Sequence, residues 1–417
     1  MFWIAAVILG LTYVGVALTR LPRINIDRPS AAFTGAVLMI LLGVLTFDGA
    51  VAAINFRTIA LLLGMMMLVA VLDRAGFFTY LAIRLLSFGK TPLRLLIMVT
   101  AATAVMSALL VNDAVVLLFT PVVIRACRIL KINPVPYLIA EAMASNIGST
   151  ATIVGNPQNM LIGATSGISF TQFFLLLSPV AAAGCVALAV VIWWRYRKEF
   201  HHAFTPDMAA LHEHANIDLA LARRAALVVA LTIAAFFLSS VLKIEVSLIA
   251  LTAGAAVLLL GRIKPSEVIR GVDWVLLLFF FGLFVVIGGA RQAGVLDIIL
   301  KHVNLTPDIK GIVSMHILSS AVSQLVSNVP LTMLVIPVIE NVQGNVLWIS
   351  LAAGATLGGN ATIIGAVANI IVAETASRDG VTLRFGEFLL VGLVVTVVTL
   401  ALSIGILSLE WQLGLLR

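Results

Sequence analysis

The stretch PLRLLIMVTAATAVMSALLVNDAVVLLFTPVVIR, residues 92–125, decides the fold of this chain. It begins as an apolar run, meets Asn112 and Asp113, and then offers only eleven apolar residues, 114–124, before Arg125. A helix that short cannot cross a hydrocarbon core, which needs about 20 residues. We therefore expect a re-entrant hairpin that returns to its side of entry. Its polar tip must be buried in protein or line a wet cavity, because lipid would leave its polar groups unsatisfied.

The composition places the whole chain in a bilayer. Of 417 residues, 61% are apolar and 11% charged, and the mean hydropathy is +1.14. These values exclude a large soluble catalytic domain and predict an all-α, multi-pass integral membrane protein. Ten apolar runs predict ten transmembrane helices, at about 3–19, 30–47, 56–73, 134–165, 170–194, 225–241, 245–261, 272–290, 345–373 and 388–409.

The second half of the chain resembles the first. Residues 311–340 form another interrupted apolar segment, with Ser327 and Asn328 at its tip. Matched pairs include Gly64 with Gly282, Gly76 with Gly294, Asn112 with Asn328, Pro121 with Pro337, Gly148 with Gly358, Thr152 with Thr362 and Asn159 with Asn369, at offsets that fall from 218 to 210. Five spans and one hairpin per half would insert the second half upside down. Such inverted-topology repeats with discontinuous helices are typical of secondary transporters. We expect a first repeat at 1–195, a cytoplasmic linker at 196–222 and a second repeat at 223–417.

Loop charge predicts the orientation. With both hairpins re-entrant, twenty Lys and Arg residues fall on one side of the membrane. The other side receives six, which are Arg57, Lys243, Arg291, Lys301, Lys310 and Arg417. This bias makes the basic side cytoplasmic and predicts both termini outside, in a bacterial cytoplasmic (inner) membrane. The linker holds four of the six His residues, and we interpret it as a solvated connector rather than a metal site.

Polar residues inside the apolar segments are the candidate substrate site. They cluster in 142–163 and in its second copy, where Gly and Pro favour local unwinding and freed backbone groups are tolerated only around a cavity. Helix packing is the alternative for any single Ser or Thr, and helix capping is the alternative for the tip asparagines. The predicted substrate-binding residues are Asn112, Asn146, Ser149, Thr150, Thr152, Asn156, Asn159, Asn328, Asn360, Thr362 and Asn369.

Two acidic residues are candidates for proton coupling. Asp113 has Val329 as its repeat partner, so the repeat does not require it, and a lone carboxylate at membrane depth indicates a proton or cation carrier. Glu141 is a second candidate if its helix turns it towards the unwound segment. His316 is interpreted as a satisfied core histidine.

Other chemistries find little support in the sequence. Cys127 and Cys185 are isolated, so neither a disulfide framework nor a metal site is expected, and no cofactor is predicted. The sequence has no G-x-S-x-G, H-E-x-x-H or Walker pattern, which argues against an intramembrane enzyme or an ATP-driven pump. The basic residues lie in loops and do not indicate a nucleic-acid partner.

The hairpin and unwound motifs resemble those of the ion-transporter superfamily. They are LVNDAVVLLFTP at 110–121, SNIGSTATIVGNPQN at 145–159, SNVPLTMLVIP at 327–337 and GGNATIIGAVAN at 358–369. The Asn-Asp tip is similar to arsenite-efflux permeases, and the GNPQN run is similar to those permeases and to silicon-efflux transporters. The divalent anion symporters of this superfamily carry the sequence Ser-Asn-Thr at both hairpin tips, and this chain departs from that pattern. The resemblance implies a site between the two tips and the two unwound segments.

The resulting expectation is proton-coupled efflux of arsenite, antimonite or a similar neutral metalloid hydroxide by alternating access. Asn, Ser and Thr can bind such a neutral cargo through hydrogen bonds, and no arginine is predicted at the site. The alternatives are a sodium-coupled anion (dicarboxylate-like) symporter, a sodium/proton antiporter, a channel, or a non-transporting membrane scaffold. Expected partners are the small inorganic substrate, a coupling proton or Na⁺, membrane lipid and, as an option, a cytoplasmic ATPase subunit. The oligomeric state stays open.

Overall fold

The computed structural model describes residues 1–17, 27–88, 91–200, 217–261, 263–296 and 305–416, apart from the side chains of 82 and 85–88. These residues form α-helices, two short 3₁₀ helices and connecting turns, with no strand among them. The first ten helices are α1 (Phe2–Ala17), α2 (Arg28–Leu41), α3 (Phe47–Ala53), α4 (Phe56–Arg74), α5 (Phe77–Phe88), α6 (Pro92–Leu109), α7 (Asn112–Ile129), α8 (Val135–Ser149), α9 (Pro157–Ser166) and α10 (Phe170–Arg195). The others are α11 (Leu219–Leu242), α12 (Val246–Gly261), α13 (Pro265–Arg270), α14 (Trp274–Gln292), α15 (Ile309–Val326), α16 (Asn328–Ile339), α17 (Val346–Gly358), α18 (Val367–Arg378) and α19 (Phe385–Gln412).

The helices are those of a multi-pass membrane protein. By length and hydropathy, seven described helices are able to cross a bilayer, namely α4, α6, α10, α11, α14, α15 and α19. Several helices also expose large apolar side chains, such as Trp3, Leu11, Val186 and Leu259. A soluble protein rarely exposes so many large apolar side chains to water. The all-α, membrane-embedded class is therefore confirmed, while the count of ten spans and the re-entrant course of the hairpins stay predictions.

Two details of the predicted elements were wrong. The second arm of the first hairpin is not an eleven-residue run, since α7 continues past Arg125 to Ile129. Long basic side chains can extend away from apolar surroundings, so Arg125 does not end the helix. The short helices α3, α5 and α13 were not predicted, because at 6 to 12 residues they give no span-length apolar run. The linker expected at 196–222 lies largely outside the described residues.

The order of helices is similar in the two halves. A pair, a short helix, a long helix, a second short helix (α5), a hairpin, a broken helix and a long helix make up α1–α10. Helices α11–α19 follow the same order, and the position that corresponds to α5 lies largely outside the described residues. The halves also pack reciprocally, since α2 lies against α14 while α4 lies against α12. A Cβ built on Gly64 would lie 2.2 Å from the carbonyl oxygen of Ala250, and one on Gly282 would lie 2.6 Å from the carbonyl carbon of Ala32. Both pairs are related by the offset of 218, so the close approach recurs at matched positions. The inverted relation stays a prediction that this packing supports.

Both predicted unwound segments are breaks between helices. The first break separates α8 from α9 at residues 150–156, and the second separates α17 from α18 at 359–366 with a short 3₁₀ helix inside it. Asn156 caps α9, because its Oδ1 accepts a hydrogen bond from the Asn159 backbone N–H at 2.9 Å, and Pro157 follows at the first helical position. The neighbouring Gly148 is required by contact, since a Cβ there would lie 2.2 Å from the carbonyl oxygen of Ala104 in α6.

Candidate functional site

The first hairpin tip lies against the first helix break. The backbone N–H of Asn112, at the start of α7, donates to the carbonyl oxygen of Gly155 at 2.9 Å. Its side-chain Nδ2 donates to Oδ1 of Asn146 in α8 at 3.4 Å. A freed N–H at a helix start and a freed carbonyl at a helix break therefore satisfy each other at membrane depth.

Asn146 joins the two halves of the protein. Besides accepting from Asn112, its Nδ2 donates to Oδ1 of Asn360 at 2.9 Å and to Oδ1 of Asn369 at 3.0 Å. All four asparagines are buried. A single amide thus links the tip of one hairpin to the opposite helix break, which is the juxtaposition that the sequence predicted.

Asn159 and Asn369 hold the two breaks in matching ways. Nδ2 of Asn159 donates to the carbonyl oxygens of Ser149 at 3.1 Å and Thr152 at 3.0 Å. Nδ2 of Asn369 donates to the carbonyl oxygens of Gly359 at 2.8 Å and Thr362 at 2.9 Å. Each amide replaces the hydrogen bonds that the unwound backbone has lost, so both residues shape the site from behind.

Between the tips lies a cavity of about 160 Å³. Of the predicted site residues, Asn112, Asp113, Asn146 and Asn328 line it. The other lining residues are Arg28, Pro29, Pro157, Gln158, Asp273, Val275, Leu276, Phe279, Ser327, Val329, Ala366 and Val367. Asp273 and Val275 are exposed, whereas Asn112 and Asn146 are buried, so the cavity leads from the protein surface to the hairpin tips.

Arg28 corrects the expectation that no arginine lies at the site. It is the first residue of α2, and its Nη1 lies 3.5 Å from Oγ of Ser327 at the second hairpin tip. Its Nε and the Oδ1 atoms of Asn112 and Asn328 are buried without a hydrogen-bond partner among the described residues. Because buried polar atoms are nearly always satisfied, donors and acceptors left open around one cavity indicate a place for a ligand.

Ser327 occupies unusual backbone geometry at this tip. Its φ of 72° and ψ of 161° fall in a region that residues with side chains rarely adopt. Its counterpart at the first tip, Val111, has an ordinary extended conformation, with φ of −67° and ψ of 119°. The second tip therefore carries local strain where it borders the cavity and Arg28.

The remaining predicted residues lie outside the cavity lining. Ser149, Thr150, Thr152, Asn156, Asn159, Asn360, Thr362 and Asn369 form the buried network behind it or sit at the breaks. Glu141 is fully buried and faces α7, where Oγ1 of Thr120 donates to its Oε1 at 2.9 Å. His316 is a satisfied core residue, since Nδ1 lies 2.8 Å from the carbonyl oxygen of Ile312 and Nε2 lies 2.8 Å from Oγ of Ser403.

Sequence reasoning missed Arg28 and Asp273 as cavity residues. Both sit at helix starts, where Asp27 caps α2 and Asp273 caps α14, and such positions looked like ordinary loop charges and span ends. The repeat offered a signal. Arg28 aligns with Val246 and Asp273 aligns with Asn55, so each is a charge without a matching charge in the other half.

A family model described as a citrate transporter (CitMHS) matches residues 13–353. The chain belongs to this family of transporters. The finding confirms a membrane transporter of the wider superfamily that the motifs predicted. The motifs had predicted a different branch, that of arsenite-efflux and silicon-efflux transporters, which stays a prediction.

Individual relatives agree with this assignment. The chain is 32% identical to a 46 kDa membrane protein of Mycobacterium leprae, over 96% of each chain. It is 34% identical to an uncharacterized transporter of Mycobacterium tuberculosis, again over 96% of each. The human P protein is 29% identical over 83% of this chain but only 52% of its own length. The crystal structure of the Alcanivorax borkumensis YdaH transporter superposes with a TM-score of 0.60, at 15% identity over 100% of this chain and 98% of that one, and so shows the fold alone.

Proposed function

We propose that this family member is a proton-coupled secondary transporter of a small carboxylate-bearing anion, with citrate as the first substrate to test. The observation that carries the proposal is Arg28 in the cavity between the hairpin tips. The family to which the chain belongs is described as a citrate transporter, and this description agrees with an anionic cargo.

Arg28 carries a charge that is partly enclosed by the cavity. A guanidinium removed from water needs an anion or hydrogen-bond acceptors to offset its lost hydration. The structure gives Arg28 a hydroxyl at 3.5 Å and leaves Nε without a partner in the described residues. A substrate carboxylate suits this unpaired donor, because guanidinium binds carboxylate through two parallel hydrogen bonds.

Asp113 supplies the coupling. It lines the same cavity, and its charge interacts with that of Arg28 without an ion pair between these two described side chains. With Asp113 ionised, the two carboxylates of Asp113 and Asp273 outweigh the positive charge of Arg28 and repel an arriving anion. Protonation of Asp113 removes one of these negative charges and so favours an anion at Arg28. Proton and anion therefore favour binding together, which is the thermodynamic basis of cotransport.

A neutral metalloid hydroxide is the second candidate. The amides of Asn112, Asn146 and Asn328 are able to bind hydroxyl groups without a countercharge, and this observation supports arsenite or antimonite. Sodium coupling is a further variant, since Asp113 and free amide oxygens are oxygen ligands of the kind that alkali cations take. Both belong in the same experiment as the carboxylates.

The test is a flux screen with purified protein in proteoliposomes. Labelled citrate, succinate, arsenite and antimonite are offered under an imposed pH gradient, a Na⁺ gradient or neither. We expect carboxylate accumulation driven by the pH gradient. Accumulation of arsenite with no carboxylate flux would replace the anion proposal by the metalloid one, and flux driven only by Na⁺ would remove the role of the proton.

We also propose the expected orientation, with the basic loops and the mouth of the central cavity on the cytoplasmic side of a bacterial inner membrane. The loop-charge bias supports this assignment. An ATPase subunit is not needed by this mechanism, because the ion gradient supplies the driving force.

A further inference from the structure

A second cavity lies beside the first residues of helices α4 and α12. It has a volume of about 350 Å³. Its rim includes the exposed residues Arg57 and Lys243, while its floor includes the buried residues Leu61, Ile153 and Phe170. Because Ile153 belongs to the break between α8 and α9, this cavity leads from the surface towards the same broken helix that the central cavity reaches.

The two cavities have matching walls. Arg28, Pro29 and Phe279 of the central cavity correspond to Val246, Ser247 and Leu61 of the second one, at the offset of 218 that also relates Gly64 to Gly282. The walls thus come from α2 and α14 in one case and from α12 and α4 in the other. These are the two helix pairs that pack reciprocally.

Each cavity carries one arginine, but on opposite members of its helix pair. The central cavity has Arg28 on α2 and Val275 on α14, whereas the second cavity has Val246 on α12 and Arg57 on α4. Lys243 adds a second cation, and no ion pair involves it among the described residues. Arg57 pairs with Glu245 at 2.8 Å, but both side chains are more than half exposed, so solvent weakens that pair.

The cavity carries part of the positive charge predicted for this side of the protein. Only six Lys and Arg residues are predicted for the side opposite the basic loops, and two of them line this rim. Hydroxyl groups of Thr165, Ser169, Ser240 and Ser247 complete a polar lining. Glu245 also lines the cavity and offsets Arg57, so Lys243 leaves the rim with a net positive charge, which attracts a small anion.

We propose that this cavity is an anion vestibule on the outer face of the cytoplasmic membrane, opposite to the face on which the central cavity opens. Through this vestibule the substrate reaches or leaves the central site. This inference rests on the proposed anion transport and adds a second binding region to it. The vestibule recognises carboxylate-bearing anions through Lys243 and Arg57, and the central cavity recognises them through Arg28.

The vestibule is closed from the hairpin tips in this structure. Neither Asn112 nor Asn328 lines it. Nδ2 of Asn55 lies 3.5 Å from Oγ1 of Thr165, which joins α9 to the residue that caps α4. Oγ1 of Thr171 donates to the carbonyl oxygen of Phe237 at 2.8 Å, which joins α10 to α11. Of the two cavities, only the central one reaches the hairpin tips. Alternating access requires such an asymmetry between two matched pathways.

The first test measures which side of the membrane reaches the vestibule. In a variant whose native cysteines are replaced by alanine, Ser240→Cys places a thiol in the vestibule, and Thr252→Cys places one on the exposed surface of α12 away from it. A charged, membrane-impermeant thiol reagent added outside intact cells should label Ser240→Cys and leave Thr252→Cys unlabelled. Labelling of Ser240→Cys only from the cytoplasmic side, or from neither side, would overturn the assignment.

The second test addresses anion recognition. We expect Lys243→Gln to raise the KM for citrate offered from the outer face by about threefold to tenfold, with kcat maintained, and to reduce the salt dependence of uptake, because a rim charge acts mainly on encounter. Lys310→Gln removes an exposed cation predicted for the same side that does not line the vestibule, and should change neither value. Equal effects of both variants, or no effect of either, would contradict the vestibule.

The two proposals fail differently. If no carboxylate is transported, the proposed function falls, and the thiol labelling still reports whether the cavity opens outside. If citrate is transported but Ser240→Cys is not reached from outside or Lys243→Gln behaves as wild type, the vestibule falls and the transport function stands.

Discussion

At the scale of single residues, the site divides into groups that face the cavity and groups that shape it. Asn112, Asn146 and Asn328 face it, together with the charged Arg28 and Asp113. Behind them, Asn159 and Asn369 donate to the unwound backbone, and Asn360 accepts from Asn146. Substitutions in the two layers should therefore differ, since cavity residues act on substrate and coupling while the others act on folding.

Arg28→Gln should weaken substrate binding. Losing a charge-assisted pair costs about 1.5–3 kcal/mol, which corresponds to roughly a tenfold to hundredfold rise in the KM for a carboxylate. Arg94→Gln, at an exposed position in the first turn of α6, is the matched control and should leave KM unchanged. Transport kinetics in proteoliposomes measure both, and an unaltered KM in Arg28→Gln would remove this residue from the binding site.

Asp113→Asn should separate transport from the pH gradient. The amide mimics the protonated carboxyl in shape, so Arg28 stays free for the anion at every pH, and exchange of labelled for unlabelled substrate should persist. Accumulation driven by an acidic exterior should be lost, since the side chain no longer takes up or releases a proton. The exposed Asp48→Asn is the control for loss of one negative charge. A variant at 113 that still accumulates substrate against a gradient would contradict the coupling role.

At the scale of helices, glycine contacts hold the halves together. Gly64 in α4 and Gly282 in α14 let each helix approach the backbone of its partner, where a Cβ would overlap main-chain atoms. Backbone atoms cannot move aside as a flexible side chain does, so the helices would have to separate. Close approach through small residues is a main source of helix association in membranes.

Gly64→Ala and Gly282→Ala should each destabilise the protein. Overpacking commonly costs about 1–3 kcal/mol, and the matched contacts predict similar losses at both positions. Gly405→Ala in α19 is the control, because a Cβ there meets nothing within 4 Å and alanine favours a helix by about 1 kcal/mol. Thermal unfolding in detergent should show a lower Tm for the first two variants and an equal or higher Tm for the third. A Tm of Gly64→Ala at or above wild type would mean that α4 and α12 are not in tight contact.

At the scale of the whole molecule, two similarly ordered halves place one cavity beside each wall pair, the central cavity beside α2 and α14 and the second beside α4 and α12. The central cavity reaches the hairpin tips, and the second does not. Their charges also differ in position, which means that the two ends of the pathway are alike in outline but not identical in chemistry. Orientation in the membrane then decides which end faces the cytoplasm.

Single-cysteine labelling tests that orientation. In the cysteine-replaced background, Lys264→Cys lies in a basic loop predicted to be cytoplasmic, and Lys310→Cys lies near the start of α15 on the predicted outer side. An impermeant reagent should label Lys310→Cys in intact cells and Lys264→Cys only in inverted vesicles. The reverse pattern would invert the proposed topology and exchange the sides assigned to the two cavities.

Hydropathy and spacing along the chain determined the class of this protein. Apolar run lengths predicted an all-helical membrane protein, the Asn112-Asp113 and Ser327-Asn328 interruptions predicted two tips, and Gly and Pro within the polar motifs predicted two broken helices. These features depend on neighbouring residues and on the cost of polar groups in lipid, so they can be deduced locally.

Only the tertiary structure decided which side chains share the cavity. Arg28 and Asp273 enter it because α2 and α14 pack against each other beside the hairpin tips, and Glu141 turns away because the rotation of α8 presents it to Thr120. Likewise, Asn159 and Asn369 became supports of the breaks once their carbonyl partners were in place. Packing summed over many contacts sets how each helix is rotated and which distant helices pair. No local pattern in a single sequence shows the result of that sum.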